Sequence, residues 1–362
     1  MKVVIAPDSF KGTVDAATAA ESIAAGWRAR RPGDEIVLRP QADGGEGTLA
    51  ALAAAIPTAR WVDTGAVTGP DGAPVEGRYL LLSDGTACVE LAITSGLPLM
   101  PAPDALGATT RGVGEVIARA LQDGARGILL ALGGSASTDG GAGALAALGL
   151  RLLDAQGAVI PDGGRGLLSL ASVDRSGLVA APPGGIRLLC DVTAPLLGPR
   201  GAAATFGPQK GASAAEIALL EQALKIFADA LGAPESVRSL PGAGAAGGTA
   251  FGFVAVWGGM IEPGARTVAE ITALDDDLRD ADVVVTGEGR FDETSLTGKV
   301  VGSILAGAHE RLRTIVITGQ ISGGHDVEAL SLAELAGDAT AAMADPKHWL
   351  MVAGAEAARR RP

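Results

Sequence analysis

The stretch that decides the fold is MKVVIAPDSFKGTVDAATAAESIAAGWRAR, residues 1–30. The apolar run Val3–Ala6 predicts a first β-strand, and the strand runs into a polar, glycine-containing segment, residues 8–13. Asp15 then predicts a helix N-cap, since one helical face follows it with Ala20, Ile23, Ala24 and Trp27. A strand, a loop and a helix in this order form the repeating unit of an α/β protein.

The same unit recurs along the chain. Further short apolar runs bounded by glycine, aspartate or proline are predicted strands: Ile36–Leu38, Ile128–Leu132, Ile186–Cys190, Val283–Val285 and Ile315–Ile317. Alanine-rich segments with helical spacing lie between many of them: Ala108–Leu121, Asp139–Leu148, Ser213–Leu231 and Val300–Arg311. The alternation predicts an α/β fold with a mostly parallel, Rossmann- or flavodoxin-like sheet.

Two candidate β-hairpins interrupt this alternation. Tyr79–Leu82 and Thr86–Leu91 are joined by a short turn, and Leu152–Ile160 contains another turn. Antiparallel pieces of this kind favour a second α/β domain inserted into the first, and 362 residues are enough for two domains. We predict a discontinuous domain of residues 1–62 and 274–362, and an inserted domain of residues 63–273.

Composition excludes several classes of partner. The net charge of −12 argues against a nucleic acid or an anionic membrane held by a general basic field. A charge-free run of 18 apolar residues is missing from the sequence, which argues against a membrane span. The two cysteines, Cys88 and Cys190, form no CxxC pair and fit a reducing compartment. We therefore expect a cytoplasmic protein with neither a nucleic-acid nor a membrane partner.

Familiar nucleotide and hydrolase motifs are missing. The sequence has no GxxxxGK[ST], no protein-kinase motif set and no GxSxG elbow. Gly242–Gly247 matches GxGxxG, but it follows a polar stretch that ends in Pro241 rather than a clear strand. A dinucleotide site is therefore disfavoured. Tight packing, a turn and a ligand-facing loop remain open for this run.

Glycine-flanked polar loops are the strongest candidates for chemistry. Several follow predicted strands, which is where open α/β sheets bind ligands. They are residues 8–13, 43–48, 133–141, 191–193 and 286–292. Glycines let backbone N–H groups approach an anion, and acidic residues can hold Mg²⁺ or accept a proton.

Lysine usage points to anion binding. The chain has six lysines against 23 arginines, and three of the six lie in glycine-bearing motifs: Lys11, Lys210 and Lys299, the last of which follows Thr297-Gly298. A compact ammonium group suits a phosphate as a point charge. Arg111 and Arg290 offer guanidinium forks for a carboxylate or a phosphate oxygen.

The order and the amino-acid sequences of these loops resemble those of the type I glycerate kinase family along nearly the whole chain. The most specific stretches are GGSASTDGGAG from Gly133, FGPQKGA from Phe206 and PGAGAAGG from Pro241. The resemblance implies an active site in the cleft between two α/β domains. It also implies ATP, Mg²⁺ and D-glycerate as ligands, and 2-phosphoglycerate as the usual product.

The resemblance and the loops together assign candidate roles. Catalytic residues are expected among Asp191, Lys210, Asp43 and Asp139. Of these, Asp191 is the first choice for the base that accepts the hydroxyl proton. Nucleotide binding is expected from Lys11, Gly133, Gly134, Ser135, Gly289 and Lys299. The residues expected at the substrate are Asp8, Ser9, Arg111 and Arg290, and those expected at Mg²⁺, directly or through water, are Glu288 and Asp292.

The sequence departs from the family pattern at two positions near these loops, and the segment Thr318-Gly319-Gln320 after Ile317 is also less typical. Ala194 stands where members usually have asparagine, and Val301 stands where a proline is common. Alternatives to a glycerate kinase are a kinase or phosphohydrolase for another small hydroxy acid, a non-catalytic ligand sensor, and an NAD-type dehydrogenase built on Gly242–Gly247. Homo-oligomerisation is left open by the sequence.

Overall fold

The structure is a computed structural model that describes residues 1–296, 299–309, 311–323 and 327–360. Thr297 and Gly298, which precede Lys299 in its motif, lie outside the described residues. Across the described ranges, none of the helices combines the length and the apolar content needed to cross a membrane.

The strands of the described residues are, in chain order, β1 (Lys2–Pro7), β2 (Glu35–Leu38), β3 (Arg60–Thr68), β4 (Pro74–Leu81), β5 (Thr86–Glu90), β6 (Gly127–Ala131), β7 (Arg151–Leu153), β8 (Ser172–Asp174), β9 (Ile186–Leu189), β10 (Met260–Glu262), β11 (Val283–Phe291), β12 (Arg313–Ile321) and β13 (Glu328–Ser331).

The α-helices of the same residues are α1 (Ala16–Arg30), α2 (Thr48–Ala55), α3 (Leu91–Ser95), α4 (Arg111–Gln122), α5 (Ala142–Ala147), α6 (Ala202–Phe206), α7 (Ala214–Ala230), α8 (Glu235–Arg238), α9 (Ala245–Trp257), α10 (Gly264–Ile271), α11 (Leu274–Leu278), α12 (Val300–Gly307), α13 (Leu332–Ala336), α14 (Ala339–Ala344) and α15 (Pro346–Ala357).

The chain divides into two compact units. Unit 1 comprises residues 1–43, residues 47–57 and the chain from Pro263 onward, and unit 2 comprises residues 44–46 and 58–262. The predicted fold class is confirmed, because one unit has a fully parallel sheet and the other a mixed sheet with antiparallel strands. The exchange points expected from sequence at 62/63 and 273/274, and the placement of a site between two domains, stay predictions.

Unit 1 contains a parallel sheet that is buried on both faces. Its strand order is β13-β12-β11-β1-β2. Side chains alternate across a strand, so Val3 and Ile5 pack with α1 and α15 while Val4 and Ala6 pack with α10, α11 and α12 on the opposite face. Burial on both faces explains why its central strands are continuous apolar runs rather than alternating ones.

Helices α1 and α15 approach each other closely on one face of this sheet. Asp15 caps α1 as predicted, since its carboxylate accepts a hydrogen bond from the Thr18 amide at 2.7 Å. A Cβ built on Gly26 would lie 1.9 Å from the Met351 carbonyl oxygen, and one on Gly354 would lie 2.2 Å from the Ile23 carbonyl oxygen. The two glycines therefore allow the backbones to touch.

Unit 2 has a mixed sheet in the order β10-β9-β6-β5-β4-β3. The strands β10, β9, β6 and β5 are parallel, whereas β5-β4 and β4-β3 are antiparallel. The predicted hairpin between β4 and β5 is confirmed. The second predicted hairpin is smaller than expected: Leu153 meets Val159 in a single bridge, while the short strand β7 pairs with β8.

Strand β11 is longer than the sequence suggested. Residues 286–291 were expected to form a loop, but they continue the strand and pair with β12 as far as Phe291 and Ile321. Glycine at 287 serves this pairing, because a Cβ there would lie 1.8 Å from the Ile317 carbonyl oxygen. Glu288, Gly289 and Arg290 therefore lie on a strand rather than in a loop.

The GxGxxG match is a packing element of unit 2. The amide of Gly140 donates to the Gly247 carbonyl at 3.0 Å, and a Cβ on Gly247 would lie 2.1 Å from the Ser137 carbonyl oxygen. The run leads into a kinked α9 with left-handed backbone at residues 246–248, and the element immediately before it is the short helix α8 rather than a strand. Of the interpretations left open by sequence, the structure favours tight packing.

We predict that Gly26→Ala destabilises the protein, because the new methyl group would overlap the α15 backbone. The expected loss in free energy of unfolding is about 2 kcal/mol, within the range of overpacked cores. Denaturant unfolding measures it. Gly33→Ala is the matched control, since a Cβ there meets nothing within 4 Å. Equal stability of the two variants would contradict the close helix packing.

Candidate functional site

Unit 1 has a cavity of about 380 Å³ at the carboxyl edge of its parallel sheet. Its charged lining residues are Asp8, Lys11, Asp43, Glu288, Arg290, Asp292 and Lys299. Ser9 and Gly289 also line it. The structure thus brings together every candidate residue that the sequence analysis placed in this unit. Because parallel strands end at one edge, loops that are far apart in sequence meet there.

Asp8 follows β1 and is buried in the wall of this cavity. It is 7% exposed, and its Oδ1 accepts a hydrogen bond from the Ser9 amide at 2.6 Å. Burial, followed by the nearby charge of Asp43, raises the pKa of the Asp8 carboxyl to about 7. A carboxyl group with such a pKa can accept or release a proton near neutral pH. Asp8 is therefore a candidate for proton transfer as well as for substrate binding.

Lys11 and Asp43 lie on the same cavity. The ammonium nitrogen of Lys11 is 3.8 Å from Asp43 Oδ2, and the lysine side chain is 71% exposed. An exposed ion pair of this length contributes little to stability. Lys11 can therefore turn to an anionic ligand at small cost.

Glu288 is the best-placed candidate for a metal. Burial raises the pKa of its carboxyl, and a hydrogen bond from Ser295 opposes that shift. Its Oε1 is buried without a hydrogen-bond partner in the described part of the chain. A buried, unpartnered carboxylate oxygen in a ligand cavity fits a cation. The described residues form no cluster of three or more acidic, histidine or cysteine ligands, but Mg²⁺ in kinases usually needs only one or two protein carboxylates.

The second metal candidate, Asp292, is partly engaged by its own turn. Its Oδ1 accepts hydrogen bonds from the amide of Thr294 at 2.9 Å and from the hydroxyl of Thr294 at 2.6 Å. These bonds lower the pKa of Asp292, so the carboxylate stays ionised. Its Oδ2 lies 3.6 Å from Nε of the exposed Arg290.

Lys299 is the N-cap residue of α12 and lines the same cavity. Its ammonium group lies 3.5 Å from the Thr294 hydroxyl, which is a weak contact. Within the described part of the chain, the ammonium group of Lys299 therefore lies at the cavity without an ion-pair partner within 4 Å.

Lys210 is a buried lysine of unit 2. It is 1% exposed, and its Nζ donates to Ser135 Oγ at 2.7 Å and to the Ser137 carbonyl. Neither partner carries a negative charge. Burial lowers the pKa of Lys210 to about 7, and the Asp139 carboxylate opposes the shift. Lys210 is thus shielded from solvent, with the Ser135 hydroxyl as its side-chain partner.

Asp139, a predicted catalytic candidate, is held by four hydrogen-bond donors, and its catalytic role stays a prediction. It is fully buried, and its carboxylate accepts from the Thr110 amide and hydroxyl at 2.9 and 2.8 Å and from the amides of Gly141 and Gly143 at 3.0 and 3.2 Å. Burial nevertheless raises the pKa of its carboxyl. With both oxygens occupied by these donors, Asp139 fixes the starts of α4 and α5 against each other.

Arg111 forms an ion pair with Asp162, and its predicted role at the substrate stays a prediction. Its Nε and Nη2 lie 2.5 and 2.7 Å from the two oxygens of Asp162. This bidentate geometry is the strong form of an arginine–carboxylate contact, and it uses the fork that a substrate carboxylate would need. Sequence spacing gave no sign of Asp162, which lies 51 residues away.

Gly133, Gly134 and Ser135 follow β6 at the carboxyl edge of the unit 2 sheet. The amide of Gly133 donates to the Gly44 carbonyl at 3.3 Å, and a Cβ on Gly133 would lie 2.3 Å from Gly45 Cα. Gly133 is therefore used for close packing. Ser135 keeps a small exposed fraction, 8%, beside Lys210.

Asp191 follows the neighbouring strand β9 at the same edge. Strands β6 and β9 are parallel, with Ala131 opposite Leu189, so the segments after both strands leave the sheet side by side. Asp191 is half-buried. Its predicted role as a base stays a prediction.

Sequence reasoning missed the apolar lining of the unit 1 cavity. Leu332, Ala339, Ala342, Met343 and Pro346 line it from α13, α14 and the start of α15. Apolar residues in helices carry no signal that separates a ligand wall from an ordinary core. The exposure of Met343, 61%, is visible only in the fold.

We predict that Lys210 makes stability depend on pH. Its pKa is about 7 in the folded protein and ordinarily 10.5, so between these values the unfolded chain binds a proton that the folded chain does not. Stability should therefore rise with pH in this window, by about 1.4 kcal/mol per pH unit from this group. Denaturant unfolding of Lys210→Met should show a slope lower by that amount.

Lys225→Met is the control, since Lys225 is an exposed lysine paired with Asp229 on the surface of α7. It should keep the wild-type slope. An unchanged slope in Lys210→Met would show that Lys210 titrates normally.

Comparisons with known proteins agree on one family. The sequence model that describes the glycerate kinase family matches residues 3–361 of this chain. A glycerate kinase of Bacillus subtilis (strain 168) is 43% identical over 331 residues, which cover 89% of this chain and 86% of that protein. A glycerate 2-kinase of Escherichia coli (strain K12) is 44% identical over 309 residues, covering 83% and 80%.

A crystal structure from Salmonella typhimurium LT2, provisionally assigned as glycerate kinase 2, has the same fold. It matches with a TM-score of 0.83 and 38% sequence identity, over 99% of this chain and 97% of that one.

Proposed function

Because the chain belongs to the glycerate kinase family, a family of phosphotransferases, we propose that it transfers the terminal phosphoryl group of ATP to D-glycerate and forms 2-phosphoglycerate. The observation that carries this proposal is the cavity of unit 1. It gathers cations and acidic residues at the carboxyl edge of a parallel sheet. Phosphoryl transfer asks a protein mainly to position its substrates and to stabilise charge.

We assign the polyphosphate of ATP to the cations of that cavity. Lys11 and Lys299 are the phosphate-binding lysines, because both line the cavity with ammonium groups only loosely held by protein partners. The backbone of Gly289 offers close approach, since glycine adds no side chain to the wall. Arg290 takes over from Arg111 as the candidate for the glycerate carboxylate, with Asp8 and Ser9 as further substrate contacts.

Glu288 and Asp292 would hold Mg²⁺, directly or through water. The buried, unpartnered Oε1 of Glu288 is the observation that supports this assignment. A bound Mg²⁺ neutralises charge that develops on the transferred phosphoryl group. Asp292 keeps its carboxylate ionised and ready for a cation, because the hydrogen bonds of Thr294 lower its pKa.

The proton of the glycerate hydroxyl needs an acceptor, and Asp191 remains the first choice. Asp43 and, on the strength of its pKa near 7, Asp8 are the rivals. We rank Asp139 below them, because its carboxylate accepts hydrogen bonds from four donors. Lys210 supports the reaction through Ser135, whose hydroxyl it holds at 2.7 Å, and Gly134 completes that loop.

The proposal also covers the cellular compartment and the oligomeric state of the protein. The acidic composition and the two unpaired cysteines, Cys88 and Cys190, favour a cytoplasmic enzyme whose partners are small molecules. Homo-oligomerisation stays open.

The direct test of this function is phosphorus NMR of the protein with ATP, Mg²⁺ and D-glycerate. We expect the resonance of 2-phosphoglycerate to appear as ADP forms, without a matching rise in orthophosphate. Orthophosphate without a phosphoglycerate would identify a phosphohydrolase. Binding of D-glycerate with no turnover would identify a ligand sensor.

The assignment of the base is tested by Asp191→Asn. We expect kcat to fall by about 100-fold or more, the usual contribution of a general base, while ADP binding stays at the wild-type level. Asp84→Asn is the matched control, because Asp84 lies exposed in a turn of the same unit where asparagine is equally suitable. Near wild-type turnover in Asp191→Asn would move the role to Asp43 or Asp8.

A further inference from the structure

The cavity of unit 1 changes character along the edge of the sheet. Toward β11, β1 and β2 its lining is charged, as described above. Toward β13, at the other side of the sheet, the lining comes from helices and is apolar: Leu332, Ala339, Ala342, Met343 and Pro346. The lining therefore suits a ligand that is charged at one end, where lysines and potential cation-binding carboxylates lie together, and apolar at the other.

The apolar wall has two buried residues and one that is largely exposed to solvent. Leu332 and Ala342 are buried in the core that α1 and α15 form on this sheet face. Met343, on the same helix as Ala342, leaves 61% of its side chain in solvent while lining the cavity. A methionine thioether packs favourably against the edge or face of an aromatic ring. A flat heteroaromatic ring would cover this exposed surface.

Gln320 lies between the two ends. Strand register places it opposite Arg290 on β11, and Thr318, two residues earlier, lies opposite Ser331, which immediately precedes Leu332. Gln320 lines the cavity with a carboxamide that can both donate and accept a hydrogen bond. That pair complements N6 and N7 of adenine, whereas O6 and N7 of guanine both accept.

We propose that the apolar end of this cavity is the nucleobase subsite, with adenine packed on Met343 and Ala342 and its edge bound by Gln320. The proposal rests on the proposed function, because it assigns the base-binding part of the same nucleotide site. The apolar end of the cavity suits the base of ATP, and the end with Lys11 and Lys299 suits its polyphosphate. The cavity volume, about 380 Å³, lies in the range of small-molecule sites.

The test separates the base from the phosphates. Binding of ADP and of inorganic tripolyphosphate to the full chain is measured by calorimetry for wild type, Met343→Ser and Met351→Ser. Met351 is the matched control, since it is a 41% exposed methionine on α15 that does not line the cavity. We expect Met343→Ser to weaken ADP binding by about five- to tenfold, a loss that tripolyphosphate does not share.

The remaining outcomes distinguish a wrong base subsite from a wrong proposed function. Wild-type ADP affinity in Met343→Ser, or an equal loss for tripolyphosphate, would overturn the base subsite while leaving the proposed kinase intact. Failure of the wild-type protein to bind ADP at all would instead count against the proposed function.

The contact between Gln320 and the adenine edge is tested by comparing the affinities for ADP and GDP. Wild-type protein should bind ADP more tightly than GDP by about tenfold, and Gln320→Leu should bring the two affinities together. Equal wild-type affinities for ADP and GDP would overturn the adenine assignment.

Discussion

The parallel sheet of unit 1 buries apolar side chains on both faces, so the charged side chains of its central strands lie where these strands end. Val3 and Ile5 fill one core, Val4 and Ala6 fill the other, and the next residue after Pro7 is Asp8. Strand β11 repeats this change, from buried Val285 to Glu288. Since parallel strands all end at one edge, the polar residues of several loops have to meet there.

Charged side chains that are buried in this protein have shifted pKa values. Asp8 is neutralised in part by burial and by the repulsion of Asp43, and Lys210 in unit 2 is bound by a hydroxyl and a carbonyl rather than by a carboxylate. Removing a charge from water costs free energy unless it is fully paired. A fold that keeps these residues buried and underpaired retains free energy that an ionic ligand can recover, which is consistent with function at both places.

Glycine has two different uses in this protein. At Gly26, Gly133 and Gly247 it lets one backbone touch another, because a Cβ at each position would lie within 2.3 Å of a neighbouring backbone atom. At Gly289 the nearest atom to such a Cβ is 3.5 Å away, and the residue lines the unit 1 cavity. The sequence alone does not distinguish a glycine that packs against backbone from one that faces a ligand. This is why Gly242–Gly247 could match a dinucleotide motif and still be a packing element.

The amino-acid sequence by itself determined the α/β class, the position of most strands and helices, the Asp15 cap and the family, because periodicity, caps and long loop motifs are local properties of the chain. It also singled out the charged residues that line the unit 1 cavity, since polar residues after apolar strands share one sheet edge. Only the tertiary structure decided that Arg111 is occupied by Asp162, that Asp139 is enclosed by backbone donors, and that Met343 is an exposed wall of a ligand cavity. Pairing, burial and exposure depend on residues that are distant in sequence, and no local pattern reports them.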